Sequence, residues 1–525
     1  MAVRNEHDCG KKEITPFEEM SKSFTAALRA SICRIALSAL LIQKLDGNKS
    51  IGMNAGINYL LLTTALLGTF FSGTATRIVS ISMPTIASSL ATDLLGVSWA
   101  LLSYQLSNIG LSIIFGRVSD LWGREKIFAL GFLVFTVSSL LCGLSQTLVQ
   151  LIVFRFMQGV GGAMLQSSSR ALAAESVPEN LAGRAQGYMT TAHHVGFIIG
   201  PSIGGLMIDY LSWRWSFFFL VPIGICGTLL TLLSLRSRPL ASPRRSVFID
   251  YGGAALLFAT TSALVMSLDR RTHQMIGENS NTALTVLFLI CLAGLIFHET
   301  RAKTPILNLT LFKIRRFSMS VVSLLVIAIC YALTGFLLPF YLQDVLGLTP
   351  THVGVIFMAP SIVTVALAPL SGYLADRLGP RMPASLGVAF MIVSLGIGGF
   401  LRVDSHWILP TVLIVVGAIT NGIFNPANSM AMISMMPAQH RGFASAVNHV
   451  TFGLGNVLGV ALSSLLMSVT FEHYTGISGT ALTTANPSAF VAALNTTFMA
   501  AAALSLVALA TSIMGSGRKP SLPFS

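Results

Sequence analysis

The chain has 525 residues, of which 53% are hydrophobic and only 10% are charged, and its mean hydropathy is +0.74. This composition provides too little polar surface for a soluble globule of this size, so the chain is predicted to lie in a membrane. The net charge of +13 does not indicate a nucleic-acid partner, because the basic residues sit in short loops between apolar runs. The six cysteines show neither a disulfide framework nor a metal-ligand spacing, and no cofactor is expected.

The first 57 residues precede the apolar part of the chain and are predicted to form a cytoplasmic extension. Four apolar residues within it recur near helical spacing and have basic residues around them: Phe24, Leu28, Ile32 and Ile35. That pattern is typical of an amphipathic helix on an anionic membrane surface. Two other interpretations stay open, a disordered tail and translation that begins at Met53.

From Tyr59 onward, long apolar runs alternate with polar loops. A helix needs about 20 apolar residues to cross about 30 Å of hydrocarbon. Fourteen runs approach this length, and their limits are 58–84, 96–116, 127–147, 149–173, 187–208, 215–235, 251–268, 283–298, 319–341, 353–374, 384–401, 407–432, 444–469 and 489–513. The seventh and eighth runs are the shortest and the least clearly separated. The predicted fold is an all-α integral membrane protein with fourteen transmembrane helices and a short tail at 514–525.

The distribution of Lys and Arg predicts the orientation of these helices, since basic loops are retained in the cytoplasm. With the N-terminus inside, 27 of the 33 basic residues lie on the cytoplasmic side. Four lie outside, at Arg214, Arg270, Arg271 and Arg402, and two lie within apolar runs, at Arg77 and Arg155. Both termini are therefore expected in the cytoplasm. The outer loops contain no N-glycosylation acceptor, which is compatible with a bacterial inner membrane.

One polar turn organises the chain: residues 116–126, GRVSDLWGREK, lie between two apolar runs, and a similar turn follows 256 positions later at 372–381. The surrounding helical sequences repeat at an offset of 259. The matched pairs are Pro178 and Pro437, Gly183 and Gly442, Ala185 and Ala444, Gly196 and Gly455, and Gly200 and Gly459. Repeated halves that rock about a central site are common in transporters. We therefore predict two six-helix bundles, 58–235 and 319–513, joined by a linker, 236–318, that inserts two further helices.

The polar turn resembles the cytoplasmic loop signature of the major facilitator superfamily of secondary transporters. The resemblance implies a gate that latches the two bundles together during alternating access. It places the gating residues at Gly116, Asp120, Gly123 and Arg124 in the first turn and at Gly372, Asp376, Arg377, Gly379 and Arg381 in the second. Leu121 and Glu125 replace basic residues of that pattern, so the first latch is expected to be weaker or differently paired. A purely structural turn is the alternative.

A second resemblance to this superfamily lies in the fourth apolar run, where Arg155 begins the sequence RFMQGVGGA. An arginine at mid-membrane costs about 2.5–3.5 kcal/mol on insertion scales, so its side chain should face the bundle interior and have a partner. The resemblance implies a part in proton relay or substrate contact, and Arg155 and Gln158 are expected to line or tune the cavity. The alternative is that Arg155 only binds carbonyls of a neighbouring helix.

The fifth run carries a glycine at every fourth position together with Gly-Pro and Gly-Gly pairs, which let another helix approach closely and permit a bend. It resembles the antiporter motif of the superfamily. The expected helix-interface residues are Gly196, Gly200, Pro201, Gly204 and Gly205, with Gly455 and Gly459 in the thirteenth run. Three further segments resemble the fourteen-span drug:proton antiporter branch: Trp213–Phe217, Val221–Gly224 and Phe248–Gly252.

The chain departs from that branch at its buried acid, which proton-coupled export of cations generally requires. The first run preserves SMPTI at residues 82–86, but the position of the branch's membrane-embedded aspartate falls on Ala75, and none of the twenty acids lies at mid-membrane. Arg77 is two residues, or about 200°, away from Ala75. If Ala75 faces the cavity, Arg77 should point at a neighbouring helix or outward; a contact between Arg77 and the substrate is the alternative.

Two histidines remain as candidates for proton exchange, because the unperturbed imidazole pKa of about 6.5 lies in the useful range. They are His193 and His194 in the fifth run. His193 shares the packing face of Gly196 and Gly200, so a hydrogen-bonded helix contact is the alternative. Two intramembrane arginines without a carboxylate leave a positive field, which an anionic or zwitterionic substrate would relieve.

Other functional classes find little support in the sequence. It contains no phosphate loop, no metalloprotease or hydrolase motif and no dinucleotide-binding glycine pattern, so no enzyme activity is predicted. The leading hypothesis is a monomeric transporter in the lipid bilayer that exports small organic molecules, as in multidrug efflux, in exchange for protons. The alternatives are a carrier of an anionic or zwitterionic metabolite, facilitative or differently coupled, and a non-transporting membrane receptor or scaffold.

Overall fold

A computed structural model describes residues 58–178, 181–236, 250–268, 280–302, 309–436, 441–476 and 486–515. The N-terminal extension with its expected amphipathic helix, and residues 516–525 of the tail, lie outside this part of the chain.

The described residues form sixteen α-helices and no strand. In chain order the helices are α1 (Tyr59–Ser89), α2 (Leu94–Trp122), α3 (Arg124–Leu144), α4 (Leu148–Glu175), α5 (Ala182–Tyr210), α6 (Trp215–Phe218), α7 (Leu220–Arg236), α8 (Tyr251–Leu268), α9 (Ser280–Arg301), α10 (Arg315–Phe340), α11 (Pro350–Ile356), α12 (Met358–Leu378), α13 (Arg381–Gly398), α14 (Ile408–Ser434), α15 (Arg441–Thr475) and α16 (Pro487–Gly515). A 3-10 turn, Leu309–Lys313, precedes α10, and a π-helical turn, Tyr341–Val345, follows it.

Polar residues fix where several helices begin, because an apolar helix must satisfy its terminal backbone N–H groups locally. Asn58 accepts a hydrogen bond from the backbone N–H of Leu61 at 3.0 Å, and Asp93 accepts one from Gly96 at 2.9 Å. Between α2 and α3 the backbone φ of Gly123 is +99°, a value that favours glycine. The predicted polar turn is therefore a tight reversal between two long helices.

Within the part of the chain that the structure describes, twelve segments are long and apolar enough to cross a membrane. Helices α6 and α7 together form one of these segments, and α11 with part of α12 forms another. Helix α8 is a shorter apolar helix, and α5 is not among the twelve. The structure therefore supports an all-helical, multi-pass membrane protein, while fourteen membrane spans stay a prediction.

Large apolar side chains remain exposed on the outer faces of the helices. On α3 they form one stripe, at Leu130, Leu133, Val137, Leu140 and Leu144. In water such a surface would promote association, whereas lipid chains cover it without cost. This exposure agrees with the predicted membrane location.

Most helices pack against others that are near in sequence. Among α1 to α7, hereafter the early helices, α1 packs along α5, α4 packs between α2 and α3, and α3 packs against α7. Among α10 to α16, the late helices, α10 packs along α15 and α16, and α14 packs against α12 and α13. Phenylalanine rings fill the core of the early helices, as at Phe71, whose ring centroid lies 4.6 Å from that of Phe135.

Contacts of α5, α2 and α1 join the early helices to the late ones: α5 packs against α11 and α12, α2 against α15, and α1 against α10 and α11. Helices α8 and α9 pack on each other, and α8 also contacts α2 and α15. Phe258 of α8 lies so close to Gly110 of α2 that a Cβ atom at that glycine would collide with its ring. The early and late helices thus meet along a few lines of contact and enclose space between them.

Candidate functional site

A cavity of about 420 Å³ lies between the early and the late helices. Its lining comes from α1, α2, α4 and α5 on one side and from α10, α12, α14 and α15 on the other. Six carboxamide side chains contribute to it, at Gln105, Asn108, Gln166, Asn421, Asn425 and Asn456. Among the described residues that line the cavity there is no aspartate or glutamate.

Arg77 of α1 lines this cavity. Its Nη2 donates a hydrogen bond to the hydroxyl of Tyr331 on α10 at 2.6 Å. The guanidinium carbon lies 4.7 Å from the ring centroid of Phe197 and 5.2 Å from that of Tyr331, which are cation–π distances. Arg77 therefore connects α1 to helices on both sides of the cavity.

The structure shows which of the two positions on α1 meets the cavity. Ala75 is completely buried in helix packing and does not line the cavity, whereas Arg77 does. The condition that Ala75 faces the cavity is therefore not met, and the outward orientation of Arg77 that depended on it does not follow. A contact between Arg77 and a substrate stays a prediction.

The two histidines predicted on α5, His193 and His194, both line the cavity. The ring of His193 packs against the ring of Phe197 with a centroid distance of 4.6 Å. A third histidine, His449 of α15, also lines the cavity, and its Nε2 lies 2.9 Å from Nε2 of Gln166 on α4. The pair Gln166 and His449 joins an early to a late helix.

Arg155 and Gln158 do not line the cavity, contrary to expectation. Arg155 is 1% exposed and donates from Nε to the carbonyl of Ala100 at 2.9 Å and from Nη1 to Oε1 of Gln158 at 2.5 Å. Gln158 in turn donates to the hydroxyl of Ser139 at 2.7 Å. Tyr104, which does line the cavity, covers the guanidinium at a centroid distance of 4.3 Å. The alternative that Arg155 binds a carbonyl of a neighbouring helix is the one that agrees with this geometry.

The buried carboxylates of the described chain lie outside the cavity. Asp250, before α8, accepts a hydrogen bond from the backbone N–H of Gly253 at 2.8 Å and lies 2.6 Å from Nε2 of His298 on α9. Glu299, 4% exposed, lies near the same place. Asp250 thus connects the start of α8 to the end of α9 through His298.

One end of the cavity is closed where α5 ends and α11 begins. A Cβ atom at Gly205 would collide with the carbonyl of Pro350, and one at Gly354 would collide with the carbonyl of Pro201. Asp209 accepts a hydrogen bond from the backbone N–H of Thr351 at 2.8 Å. Backbone contact this close requires glycine, so Pro201 and Gly205 form part of a seal between early and late helices.

The remaining glycines of the predicted interface pack within one set of helices. Gly196, Gly200 and Gly204 of α5 face α1, and a Cβ atom at Gly200 would lie 2.9 Å from the carbonyl oxygen of Thr74. Gly455 and Gly459 of α15 face α10 in the same way, against Ala328 and Ile329. The glycine-rich faces thus hold α1 and α10, which both line the cavity, against their neighbours.

The opposite end of the cavity carries the two polar turns. In the first turn, Asp120 accepts hydrogen bonds from Arg124 at 2.7 and 2.9 Å, and Arg124 donates to Glu175 of α4 at 2.6 Å. The nearest atom to a Cβ at Gly116 would be 3.8 Å away, on Ser167. All of these partners belong to early helices, so this turn is paired differently from a latch between bundles.

The second turn lies between α12 and α13. Gly379 has a φ of +80° and ends α12, and a Cβ atom at Gly372 would meet nothing within 4 Å. The guanidinium of Arg377 lies 4.6 Å from the ring centroid of Tyr373, and Arg381 begins α13 with its side chain exposed. The side chain of Asp376 lies outside the described part of the chain.

Sequence reasoning missed most of the cavity on the side of the late helices. Tyr331, Asn421, Asn425, His449 and Asn456 line it, and none of them belongs to a recognised motif. A signal was present, because each is a polar residue within an apolar run, where polar groups are costly and face the bundle interior. Asn421 and Asn425, spaced by four residues, share one helix face.

Comparisons with known proteins agree with this architecture. The profile of the Major Facilitator Superfamily matches residues 65–460 and 320–521. The chain is 27% identical over 460 residues to the riboflavin transporter RibZ of Clostridioides difficile, with 86% of this chain and 96% of that protein covered. It is 29% identical over 427 residues to the multidrug resistance protein Stp of Mycobacterium tuberculosis, with 79% of this chain and 78% of that protein covered.

Solved structures share the fold. A bacterial homolog of the human lysosomal transporter Spinster, in an inward-facing and unoccupied conformation, matches with a TM-score of 0.63 at 15% identity over 88% of this chain and 98% of that one. A mutant of the nucleoside transporter NupG matches with a TM-score of 0.62 at 12% identity over 87% of this chain and 98% of that one. The chain therefore belongs to the Major Facilitator Superfamily, as a multi-pass membrane transporter of small molecules and not an enzyme.

Proposed function

We propose that the protein exports small organic molecules by alternating access, in the manner of multidrug efflux. The observation that carries the proposal is the cavity between early and late helices, with close backbone contact between them at one end and no such contact at the described glycines of the two polar turns at the other. Reversal of these contacts would expose the same cavity to the opposite side of the membrane. The name of the relative Stp, a multidrug resistance protein, supports this class of function.

The proposed architecture has fourteen spans, with α5 and α8 added to the twelve apolar segments. Residues 58–235 and 319–513 form two six-helix halves, and residues 236–318 insert the pair α8 and α9. Two observations support this division: the offsets of the sequence repeat and the contribution of four early and four late helices to the cavity. We propose that one chain is functional on its own.

The proposed orientation places both termini, including residues 1–57 and 514–525, in the cytoplasm of a bacterial cell, with the spans in the inner membrane. The excess of basic residues in the corresponding loops supports it. In this orientation the open end faces the cytoplasm, and the conformation described above is inward-facing. Asp120 and Asp376 would then act as cytoplasmic gate residues, engaged when the cavity opens outward.

Protons are the proposed coupling ion. Three imidazoles line the cavity, at His193, His194 and His449, and no carboxylate does so among the described lining residues. Imidazole is the side chain whose ordinary pKa lies nearest to neutral pH. These histidines are therefore the groups that would exchange protons with the two sides of the membrane in turn.

A second candidate function is a carrier of an anionic or zwitterionic metabolite, coupled in another way. The observation that favours it is Arg77, a fixed positive charge on a cavity wall that holds no described acid. The relative RibZ, named a riboflavin transporter, supports a metabolite substrate more than a lipophilic cation.

Dye accumulation in an efflux-deficient bacterial host expressing the chain separates the two functions. We would compare ethidium, a cationic dye, with carboxyfluorescein, an anionic one, each with and without a protonophore. Exclusion that the protonophore abolishes is expected if export is driven by protons. If only the anionic dye is transported and the protonophore has no effect on its transport, the second candidate, a carrier of an anionic or zwitterionic metabolite, replaces this proposal.

Two variants make the experiment specific for the cavity. His449→Gln keeps an amide-like partner for Gln166 but cannot change charge, so it is expected to reduce protonophore-sensitive export. Gly187→Ala is the matched control on α5, since a Cβ atom there would meet nothing within 4 Å. Equal export by both variants and the wild type would exclude His449 from coupling.

A further inference from the structure

The polar groups of the cavity are unusual for a site that binds lipophilic cations. Six carboxamides, three imidazoles and one guanidinium line it, without a described acid. Carboxamides present a donor and an acceptor in one plane, and a guanidinium presents donors only. The wall is therefore suited to a ligand that has hydrogen-bonding groups along its edge and a negative charge at one end.

Several of these groups have no hydrogen-bond partner in the part of the chain that the structure describes. Arg77 donates one hydrogen bond, to Tyr331, and its Nε has no acceptor. The carbonyl oxygens of Gln105 and Asn425 also have no donor, although both side chains line the cavity. A shielded polar atom without a hydrogen-bond partner is unfavourable in free energy. A ligand that reorients these side chains toward itself would recover part of that free energy.

Aromatic rings stand beside these groups. Phe197 and Tyr331 flank the guanidinium of Arg77 from α5 and α10, at centroid distances of 4.7 and 5.2 Å. The ring of His193 extends this aromatic surface beside Phe197. Rings fixed in this way offer flat apolar contact to a planar molecule whose acidic group reaches Arg77.

We propose that the cavity binds a planar heteroaromatic acid, with its acidic group at Arg77 and its ring N–H groups donating to Gln105 and Asn425. This inference rests on the proposed function, since it assigns a substrate class to the same cavity. The volume of about 420 Å³ lies within the range of small-molecule sites, about 300–1,000 Å³. Tyr104, Tyr331 and the three histidines are the other titratable groups among its described lining residues, and none of them is a carboxylate that would repel the ligand.

Binding to the purified full-length protein in lipid nanodiscs tests this inference without reference to transport. The probes are pterin-6-carboxylate, which has an acid and ring donors; 6-methylpterin, which has the donors alone; 2-naphthoate, which has the acid alone; and ethidium, a cation. We expect pterin-6-carboxylate to bind at least tenfold more tightly than each of the other three. Equal or tighter binding of ethidium would overturn the assignment.

Two variants assign the contacts. Arg77→Gln should remove the preference for pterin-6-carboxylate over 6-methylpterin, and Asn425→Leu should remove its preference over 2-naphthoate. Retention of both preferences in both variants would overturn the assigned contacts. Arg155→Lys is the control for a general effect of an altered arginine, because Arg155 does not line the cavity and should leave both preferences unchanged.

The outcomes distinguish this inference from the proposed function. Export of ethidium from cells, without binding of any heteroaromatic acid, would support the proposed export function and contradict the proposed substrate class. Tight binding of pterin-6-carboxylate, without export of either dye, would support the proposed substrate class and contradict the proposal of multidrug efflux.

Discussion

The two arginines within the apolar runs have opposite environments. Arg155 is 1% exposed and bonded to a carbonyl and to Gln158, which is itself bonded to Ser139. Arg77 stands at the cavity wall with one hydrogen bond and an Nε that has no acceptor. Both carry a cost of placing a charge in a membrane, but Arg155 donates two hydrogen bonds to fixed protein groups and Arg77 donates one.

An intramembrane charge can serve either packing or binding, and its partners distinguish the two roles. Arg155 of α4 donates to Ala100 of α2 and, through Gln158, is linked to Ser139 of α3, so it contributes to the packing of these three helices. Arg77 at the cavity has an Nε without an acceptor among the described residues and retains donors for a ligand. The motif around Arg155 drew attention to a residue that does not line the cavity.

Arg155→Ala should have the largest effect on folding. The variant leaves a cavity and removes the donor from Gln158 and from the Ala100 carbonyl, so we expect a loss of about 3–5 kcal/mol in stability. Fluorescence-detected size-exclusion chromatography after heating in detergent measures it. A thermal midpoint equal to that of the wild type would show that this bonded cluster does not hold the three helices together.

Arg77→Ala should leave the stability of the fold unchanged and reduce substrate binding and transport. Its single hydrogen bond contributes little to stability, so the folded yield should match that of the wild type. Binding and transport of an anionic substrate should fall at least tenfold, which corresponds to about 1.4 kcal/mol. Counterflow in proteoliposomes measures the transport. Normal transport of an anion by this variant would contradict the assignment of Arg77 to the substrate path.

Much of the fold followed from the sequence because long apolar runs permit only helices in a bilayer. The limits of α1, α2 and α4 were predicted to within several residues, and the polar turns fell at Gly123 and Gly379. The cavity was predicted less well. Which face of α1 meets the cavity depends on packing against α5 and α10, and the sequence of α1 alone does not contain that information.

The same limit applies to the late helices. Asn421, Asn425 and His449 are recognisable as polar residues in apolar runs, but only the three-dimensional arrangement brings them opposite Arg77 and His193. Motif resemblance covered the early helices more fully, so the predicted site was confined to one side of the cavity. Polar residues within apolar runs deserve the same weight as motifs when a membrane site is sought.

A substitution on the glycine face of α5 should have an intermediate effect on stability. Gly196→Ala places a Cβ atom against the carbonyl of Phe70 and should destabilise the packing of α1 by about 1–3 kcal/mol. Gly187→Ala on the same helix meets nothing within 4 Å and should be neutral or stabilising by up to about 1 kcal/mol. Thermal midpoints measured side by side check both. Equal midpoints would mean that α1 can move away from α5 freely.

The smallest effect is expected at the first polar turn. Glu175→Gln removes the ion pair with Arg124 at 2.6 Å, whose side chains are 24% and 35% exposed. Ion pairs with this exposure contribute about 0–1 kcal/mol, and less at high salt. The thermal midpoint should therefore change little in low salt and not at all in high salt. A large, salt-independent loss would indicate that this turn is a fixed structural element.

If the two ends of the cavity open in alternation, Gly354→Leu should change the conformation at both ends. The substitution cannot fit against the Pro201 carbonyl and should force the closed end apart. Double electron–electron resonance would measure two label pairs in nanodiscs, Tyr210 with Asp344 at the closed end and Trp122 with Leu378 at the open end. Alternating access predicts that the first distance lengthens and the second shortens. A longer first distance with an unchanged second distance would contradict it.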